Sequence, residues 1–234
     1  MLIPSQSWGE DIAIDSSLVE LNLNAIKQKI AHYNVKIIAV TKYFGLKAMQ
    51  AGYEAGIRDF AESRALESIE KIQKLPDEIR ENSTFHFIGH LQTNKADKVV
   101  KHFDVIHSVD SLKVAQAISK TACSLNKKEK ILLQVNNAGE EQKSGYEKEQ
   151  LKKELNDILA LPGVEVIGLM NMAPLGADEK TLDELFSDIR KFRDELEKEF
   201  VITLPELSMG MSDDYEVAVR NGATMVRIGR KLFT

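Results

Sequence analysis

Residues 35–42 read V-K-I-I-A-V-T-K, a short β-branched and apolar run that ends on a lysine just before the breaker Gly45. A run this apolar reads as a strand buried on both faces, as in parallel sheets covered by helices. In α/β folds, chemistry gathers where strands end at their carboxyl side, and Lys42 stands at such an end. Taken alone, Lys42 has two readings. It is a strand-end lysine reaching water along its aliphatic stem, or an amine held partly out of water and able to attack a carbonyl.

Outward from this strand, the pattern alternates. Before it, Leu18, Leu21, Leu23, Ile26 and Ile30 follow Ser16 and Ser17 at near-helical spacing and predict an opening helix. After it come helix 46–55, strand 57–60, helix 64–75, strand 85–88, helix 94–101 and strand 103–107. Helix 111–124, strand 131–135, helix 147–160 and strand 164–169 continue the series. Helix 181–200, strand 206–208, helix 213–221 and strand 224–228 close it. Thr181 and Glu184 form a capping box, and Leu182, Leu185, Phe186, Ile189, Phe192, Leu196 and Phe200 make a core-facing stripe. Strict alternation implies a parallel sheet. Eight such units in 234 residues fit a single (β/α)8 TIM-type barrel better than an open doubly wound sheet. Only residues 229–234 follow the last strand, so the segment 1–34 is expected to pack on the barrel where an eighth helix would lie.

Composition excludes several classes. Hydrophobic content of 43% and charged content of 29% suit a globular protein with a real core. A net charge of -5 argues against nucleic acid or an anionic membrane as partner. The lone Cys123 can form no internal disulfide, which fits a reducing compartment. No apolar run approaches a membrane span, and residues 1–11 lack the regions of a signal peptide. A cytoplasmic protein is expected. The Lys127–Lys130 run reads as a solvated loop, and Cys123 as a packed thiol within a helix.

A barrel would gather the strand ends around one mouth. These ends are Lys42, Glu62–Arg64, Gly89–Gln92, Ser108–Asp110, Asn136–Asn137, Met170–Asn171, Ser208–Ser212 and Arg227–Gly229. The last two segments look like an anion site. Gly229 and Arg230 directly follow a strand, and a glycine there lets backbone amides approach a phosphate. Ser208 and Ser212 offer hydroxyl donors. Ser212 reads equally well as the N-cap of the helix through Tyr215 and Val219, with Asp213 and Asp214 complementing that helix end. Those acids would repel a phosphate on the same axis, which places the anion nearer Gly229. His86 and His90 have the i,i+4 spacing of a helical metal pair, but they fall in a strand ending at glycine, and no metal site is expected. Walker A, G-x-G-x-x-G and G-x-S-x-G motifs are absent from the chain.

From about Ile37 to Phe233 the chain resembles the pyridoxal 5′-phosphate homeostasis proteins, the YggS/PROSC group. The resemblance rests on A-V-T-K at 39–42, F-H-F-I-G-H-L-Q-T-N-K at 85–95, I-H-S-V-D-S at 106–111, G-L-M-N-M-A-P at 168–174, L-S-M-G-M-S-D-D-Y at 207–215 and G-A-T-M-V-R-I-G at 222–229. It implies the barrel of the alanine racemase N-terminal domain and pyridoxal phosphate bound as an imine. Carried onto this sequence, it makes Lys42 the imine lysine. Ser208 or Ser212, in the segment that includes Gly210, would hold the phosphate together with Gly229 and Arg230. Arg227 would face the pyridine nitrogen or neutralise the phosphate. The chain departs from the family's pattern at Ala61–Glu62–Ser63, where G-E-N is usual, and at Phe85, where tryptophan is common. The implied function is reversible handling of the cofactor as a monomer, in exchange with amino or keto acids and without turnover. A racemase-like enzyme is the alternative. Against it stand the expectation that no second domain follows residue 234 to supply an opposing base, and an arginine near the ring nitrogen that would weaken the electron sink. A lysine barrel acting on a phosphorylated sugar, needing no cofactor, is the third reading.

Overall fold

The computed structural model describes residues 14–139 and 144–234. Helix α1 (Ser16–Lys29) leads into β1 (Lys36–Val40), α2 (Leu46–Glu54) and β2 (Asp59–Glu62). Then come α3 (Ala65–Gln73), α4 (Asp77–Glu81), β3 (Thr84–Phe87), α5 (Ala96–His102) and β4 (Val105–Val109). α6 (Leu112–Ser124), β5 (Glu129–Gln134), α7 (Lys148–Leu159) and β6 (Val164–Met170) follow. α8 (Glu179–Phe200), β7 (Glu206–Met211), α9 (Tyr215–Arg220), β8 (Met225–Ile228) and the single turn α10 (Arg230–Phe233) end the chain. The eight strands form a closed barrel in sequence order. β8 pairs in parallel with β1, Ile37 beside Val226 and Ile38 beside Arg227. Closure leaves no strand edge open.

Period-two alternation divides the apolar residues into two bodies. Ile38, Val40, Ala61, Val105, Leu132, Ile167, Met170 and Met225 pack together inside the barrel. Their neighbours Ala39, Phe60, Phe85, Phe87, Ile106 and Ile131 face the helices in a second, larger cluster. Gly168 lies so close to β7 that an added Cβ would sit 1.8 Å from the Glu206 carbonyl oxygen, a spacing that only glycine permits.

The expected strand–helix order matches the structure, with several local corrections. In α1 the buried stripe is Val19, Leu23 and Ile26, continued by Ile30, whereas Leu18 and Leu21 are exposed. Val19, left out of the predicted stripe, sets the true phase. The short α4 was not foreseen. Asp178, not Thr181, caps α8: its carboxylate accepts the Thr181 amide at 2.8 Å, so no capping box forms. Strand β7 runs on to Met211 because Gly210 takes φ +89° and the register against β8 shifts there. Cys123 is exposed rather than packed. The Lys127–Lys130 run is not a solvated loop. The Lys127 ammonium donates to the Val100 carbonyl at 2.7 Å and pairs with the buried Glu129, and Lys130 lies in β5. The stretch of the N-terminal segment before residue 14 lies outside the described residues; from Ser16 onward, α1 packs on α10, and the Asn22 amide donates to the Leu232 carbonyl at 3.2 Å. Among the described residues no helix is long and apolar enough to cross a membrane.

Glu129 gives the fold a pH dependence. Burial pushes its carboxyl up to about 7, more than the Lys127 charge pulls it down. The folded state therefore binds a proton that the unfolded chain, with an ordinary glutamate, has already lost. This contribution is fully present below the unfolded value and is lost as pH rises towards about 7. The stability of the wild type relative to Glu129→Gln should fall by roughly 1–3 kcal/mol between acidic and mildly alkaline buffer. Denaturant melts of both proteins at several pH values check this.

Candidate functional site

Lys42 continues the inward phase of Ile38 and Val40, and it emerges half-buried at the carboxyl end of β1. Its ammonium lies over the Tyr43 ring, 4.9 Å from the centroid. The backbone around it is clamped from outside the barrel. Thr41 turns outward and donates its hydroxyl to Glu62 at 2.6 Å. The same carboxylate accepts the Ser68 hydroxyl and pairs with Lys71. Lys71 also donates to the carbonyls of Thr41 and Phe44, both at 2.9 Å. Burial lowers the Lys71 pKa, and the Glu62 charge opposes that shift. Phe44 then packs on Phe233, with ring centroids 5.0 Å apart. One buried ion pair thus fixes the loop that carries Lys42 and seats it against α10.

The last strand supplies the polar partner of this loop. Gly229 approaches β1 closely: a Cβ there would stand 3.3 Å from the Val40 carbonyl oxygen. The amides of Gly229 and Lys231 both point to the Ser212 hydroxyl oxygen, at 3.3 and 3.5 Å. Ser212 therefore does not cap α9. Asp214 holds that turn instead, its carboxylate accepting the Met211 amide. The Arg230 side chain points away and pairs with Asp213 at 2.8 Å, so only its backbone adjoins the two converging amides. Gly210 is required by the turn, since a Cβ there would lie 2.6 Å from the Ala218 Cβ.

Arg227 lies inside the barrel and is nearly fully buried. One Nη donates to the Ser208 carbonyl at 2.7 Å and to the Ser208 hydroxyl at 2.6 Å. The other donates to the Asn171 carbonyl at 2.8 Å. Burial pulls its pKa down to about 10 against the pull of the Asp214 charge, which leaves it a cation at neutral pH. Ser208 is fully buried between Arg227 and His107. The two serines thus part company: Ser212 stands at the Gly229 and Lys231 amides, while Ser208 braces the arginine.

His86 and His90 do not meet, for His86 is buried in the barrel and the exposed His90 pairs with Asp110 at 3.2 Å. Among the described residues no cluster could hold a metal ion. Sequence reasoning assigned no role to Glu62, Lys71, His107 or Asn171. His107 carried a usable signal, being in phase with the inward Val105 on a fully buried strand. The Lys71 contacts span about thirty positions and leave no local pattern.

A strand-end lysine, a cluster of backbone amides and a buried arginine at one barrel mouth define a protein of the alanine racemase N-terminal domain class, and that family's sequence profile matches residues 14–234. Within it, the chain belongs to the pyridoxal phosphate homeostasis protein family. It is 42% identical to the pyridoxal phosphate homeostasis protein of Synechocystis over 86% of this chain and 91% of the relative. Its identity to the protein of that name from Aquifex aeolicus is 39%, over 85% and 86% of the two chains. Among solved structures it is similar to PipY of Synechococcus elongatus with pyridoxal phosphate bound, at a TM-score of 0.84 and 37% identity, covering 92% of this chain and all of that one.

The two α9-proximal contacts predict different costs. Asp214→Ala strips a buried amide of its acceptor and should lower stability by about 1–3 kcal/mol, while Ser212→Ala, losing two long bonds, should cost less than about 1 kcal/mol. Thermal melts of the ligand-free variants compare them.

Proposed function

We propose that this protein binds pyridoxal 5′-phosphate reversibly at the barrel mouth as an imine of Lys42, and so helps to balance the cofactor pool of the cytoplasm. The observation that carries the reading is the convergence of the Gly229 and Lys231 amides on one oxygen position beside the Lys42 loop. The residues present fit the group. Both amide bonds to Ser212 are long, so a charged phosphate oxygen would be a better acceptor there. Gly229 leaves open the space that a side chain would fill against Val40. Asn171 adds a buried side-chain oxygen with no hydrogen-bond donor.

In this reading the Gly229, Arg230 and Lys231 backbone and the Ser212 hydroxyl hold the phosphate. Lys42 would supply the amine that holds the cofactor's aldehyde carbon. Arg227 would face the ring nitrogen and, staying charged, would leave it unprotonated. Thr41, Glu62 and Lys71 keep the lysine loop in place. When bound, the cofactor supplies an electrophilic carbon that amino acids can engage in exchange with Lys42. Holding and release without turnover is supported by the homeostasis name shared by the curated relatives. In this reading the protein works as a monomer, and its net charge of -5 counts against nucleic-acid or anionic-membrane partners.

Purified protein should absorb in the visible range after incubation with pyridoxal phosphate, and borohydride should fix the label to the tryptic peptide carrying Lys42. Lys42→Ala should fold and lose that absorbance. Labelling at Lys47 or Lys95 instead would overturn the assignment. Gly229→Val should weaken binding at least tenfold by blocking the amides, on the order of 1.4 kcal/mol.

Amino acids should shift the spectrum yet be recovered with their chirality intact. Chiral chromatography after long incubation with L-alanine checks this. Racemisation that is lost in Lys42→Ala would establish an enzyme instead.

A further inference from the structure

A file of polar side chains runs through the barrel interior, beneath the site. At the amino end of the strands, Lys36 pairs with Asp59 at 3.3 Å. The Asp59 carboxylate meets His86 Nε2 at 3.0 Å, and His86 Nδ1 meets His107 Nε2 at 2.9 Å. His107 Nδ1 meets the Ser208 hydroxyl at 2.9 Å, and that hydroxyl accepts from Arg227 at 2.6 Å. Both histidines are fully buried, while Lys36 and, in part, Asp59 reach the surface at the amino end. The five side chains from Asp59 to Arg227 come from five different strands, and such a file through an interior otherwise apolar is expensive unless every atom is matched.

One neutral arrangement matches them all. The Asp59 carboxylate only accepts, so His86 carries its proton on Nε2. His86 Nδ1 then accepts from His107 Nε2–H, and His107 Nδ1 accepts from the Ser208 hydroxyl. Ser208 keeps a lone pair for Arg227. The reverse order would set two acceptors face to face at Asp59. Burial would raise the Asp59 pKa, but the His86 hydrogen bond and the nearby Lys36 charge outweigh it and hold the carboxyl below its usual value. Burial, helped by the positive charges of Arg227 and Lys36, holds the His107 pKa well below its ordinary value.

We propose that Asp59, His86 and His107 are positioning residues that fix the direction of the Ser208 hydroxyl and through it the placement of Arg227, so that the charge at the amino end of the barrel is felt at the mouth. The effect on Arg227 concerns this chain alone; its effect on cofactor rests on the binding reading above.

The test uses the full chain without cofactor, labelled with nitrogen-15 at histidine and arginine. Long-range proton–nitrogen spectra at neutral pH should show both rings as neutral Nε2–H tautomers. A His107 proton on Nδ1, or a doubly protonated ring at either position, would overturn the proposal without any variant. Asp59→Asn removes the anchoring charge while keeping the side chain's shape. It should move His107 into a tautomer mixture and speed proton exchange at the Arg227 guanidinium. In a parallel titration with pyridoxal phosphate it should weaken binding about threefold to tenfold, and Asp59→Glu should restore part of the loss. Unchanged His107 and Arg227 signals in Asp59→Asn would refute the relay, and a changed relay with unchanged affinity would refute its influence at the mouth. If the wild type binds no pyridoxal phosphate, the binding reading fails, while the tautomer measurements still judge the relay.

Discussion

Closing a parallel sheet on itself leaves one interior, and every second residue of each strand must fill it or be satisfied within it. That constraint orders everything else here. The eight buried apolar side chains do not complete the filling, and His86, His107, Ser208 and Arg227 are among those that take the remaining positions. An arginine inside a barrel needs acceptors for its donors, and three hydrogen bonds place Arg227, on the carbonyl and hydroxyl of Ser208 in the adjoining β7 and on the carbonyl of Asn171 just beyond β6. The polar core is therefore not an ornament of the site. It is the condition under which a cation can sit at the mouth with its position settled in advance.

The outer face follows a second version of the same rule. Glu62 faces the helices rather than the barrel, where a carboxylate would be as costly as anywhere in the core. Thr41, Ser68 and Lys71 surround it, and Lys71 spends its remaining donors on the carbonyls that flank Lys42. A buried ion pair of this kind adds little net stability. Its effect is geometric, since it fixes the loop whose lysine does the chemistry proposed above.

The barrel was legible because its signal is periodic and repeated. Each strand carries its own apolar run, and alternation with helices leaves few topologies to choose from. Where single residues decided, the reading slipped. Val19, absent from the leucine-rich stripe, set the phase of α1. Asp178 sits three residues before Thr181 and takes the cap because its carboxylate accepts the Thr181 amide, which a capping box would have given to the Glu184 carboxylate. The places of Lys42 and Gly229 just beyond β1 and β8 were readable from the sequence. Ser208 and Ser212 were not separable, because two serines four positions apart differ only through partners 17 to 101 positions away. Long-range pairing of this sort leaves no mark in local sequence.

The contact between α1 and α10 joins residues 210 positions apart. Because α10 carries the amides of the mouth and α1 holds α10, the two ends of the chain must be in place before the mouth exists. Contacts between such distant parts form late, after the entropy of closing the long loop has been met. A molecule recognising the finished mouth would therefore discriminate between a completed barrel and an open one, and would stabilise only the former. Occupancy of the site becomes a record of whether the ring has closed.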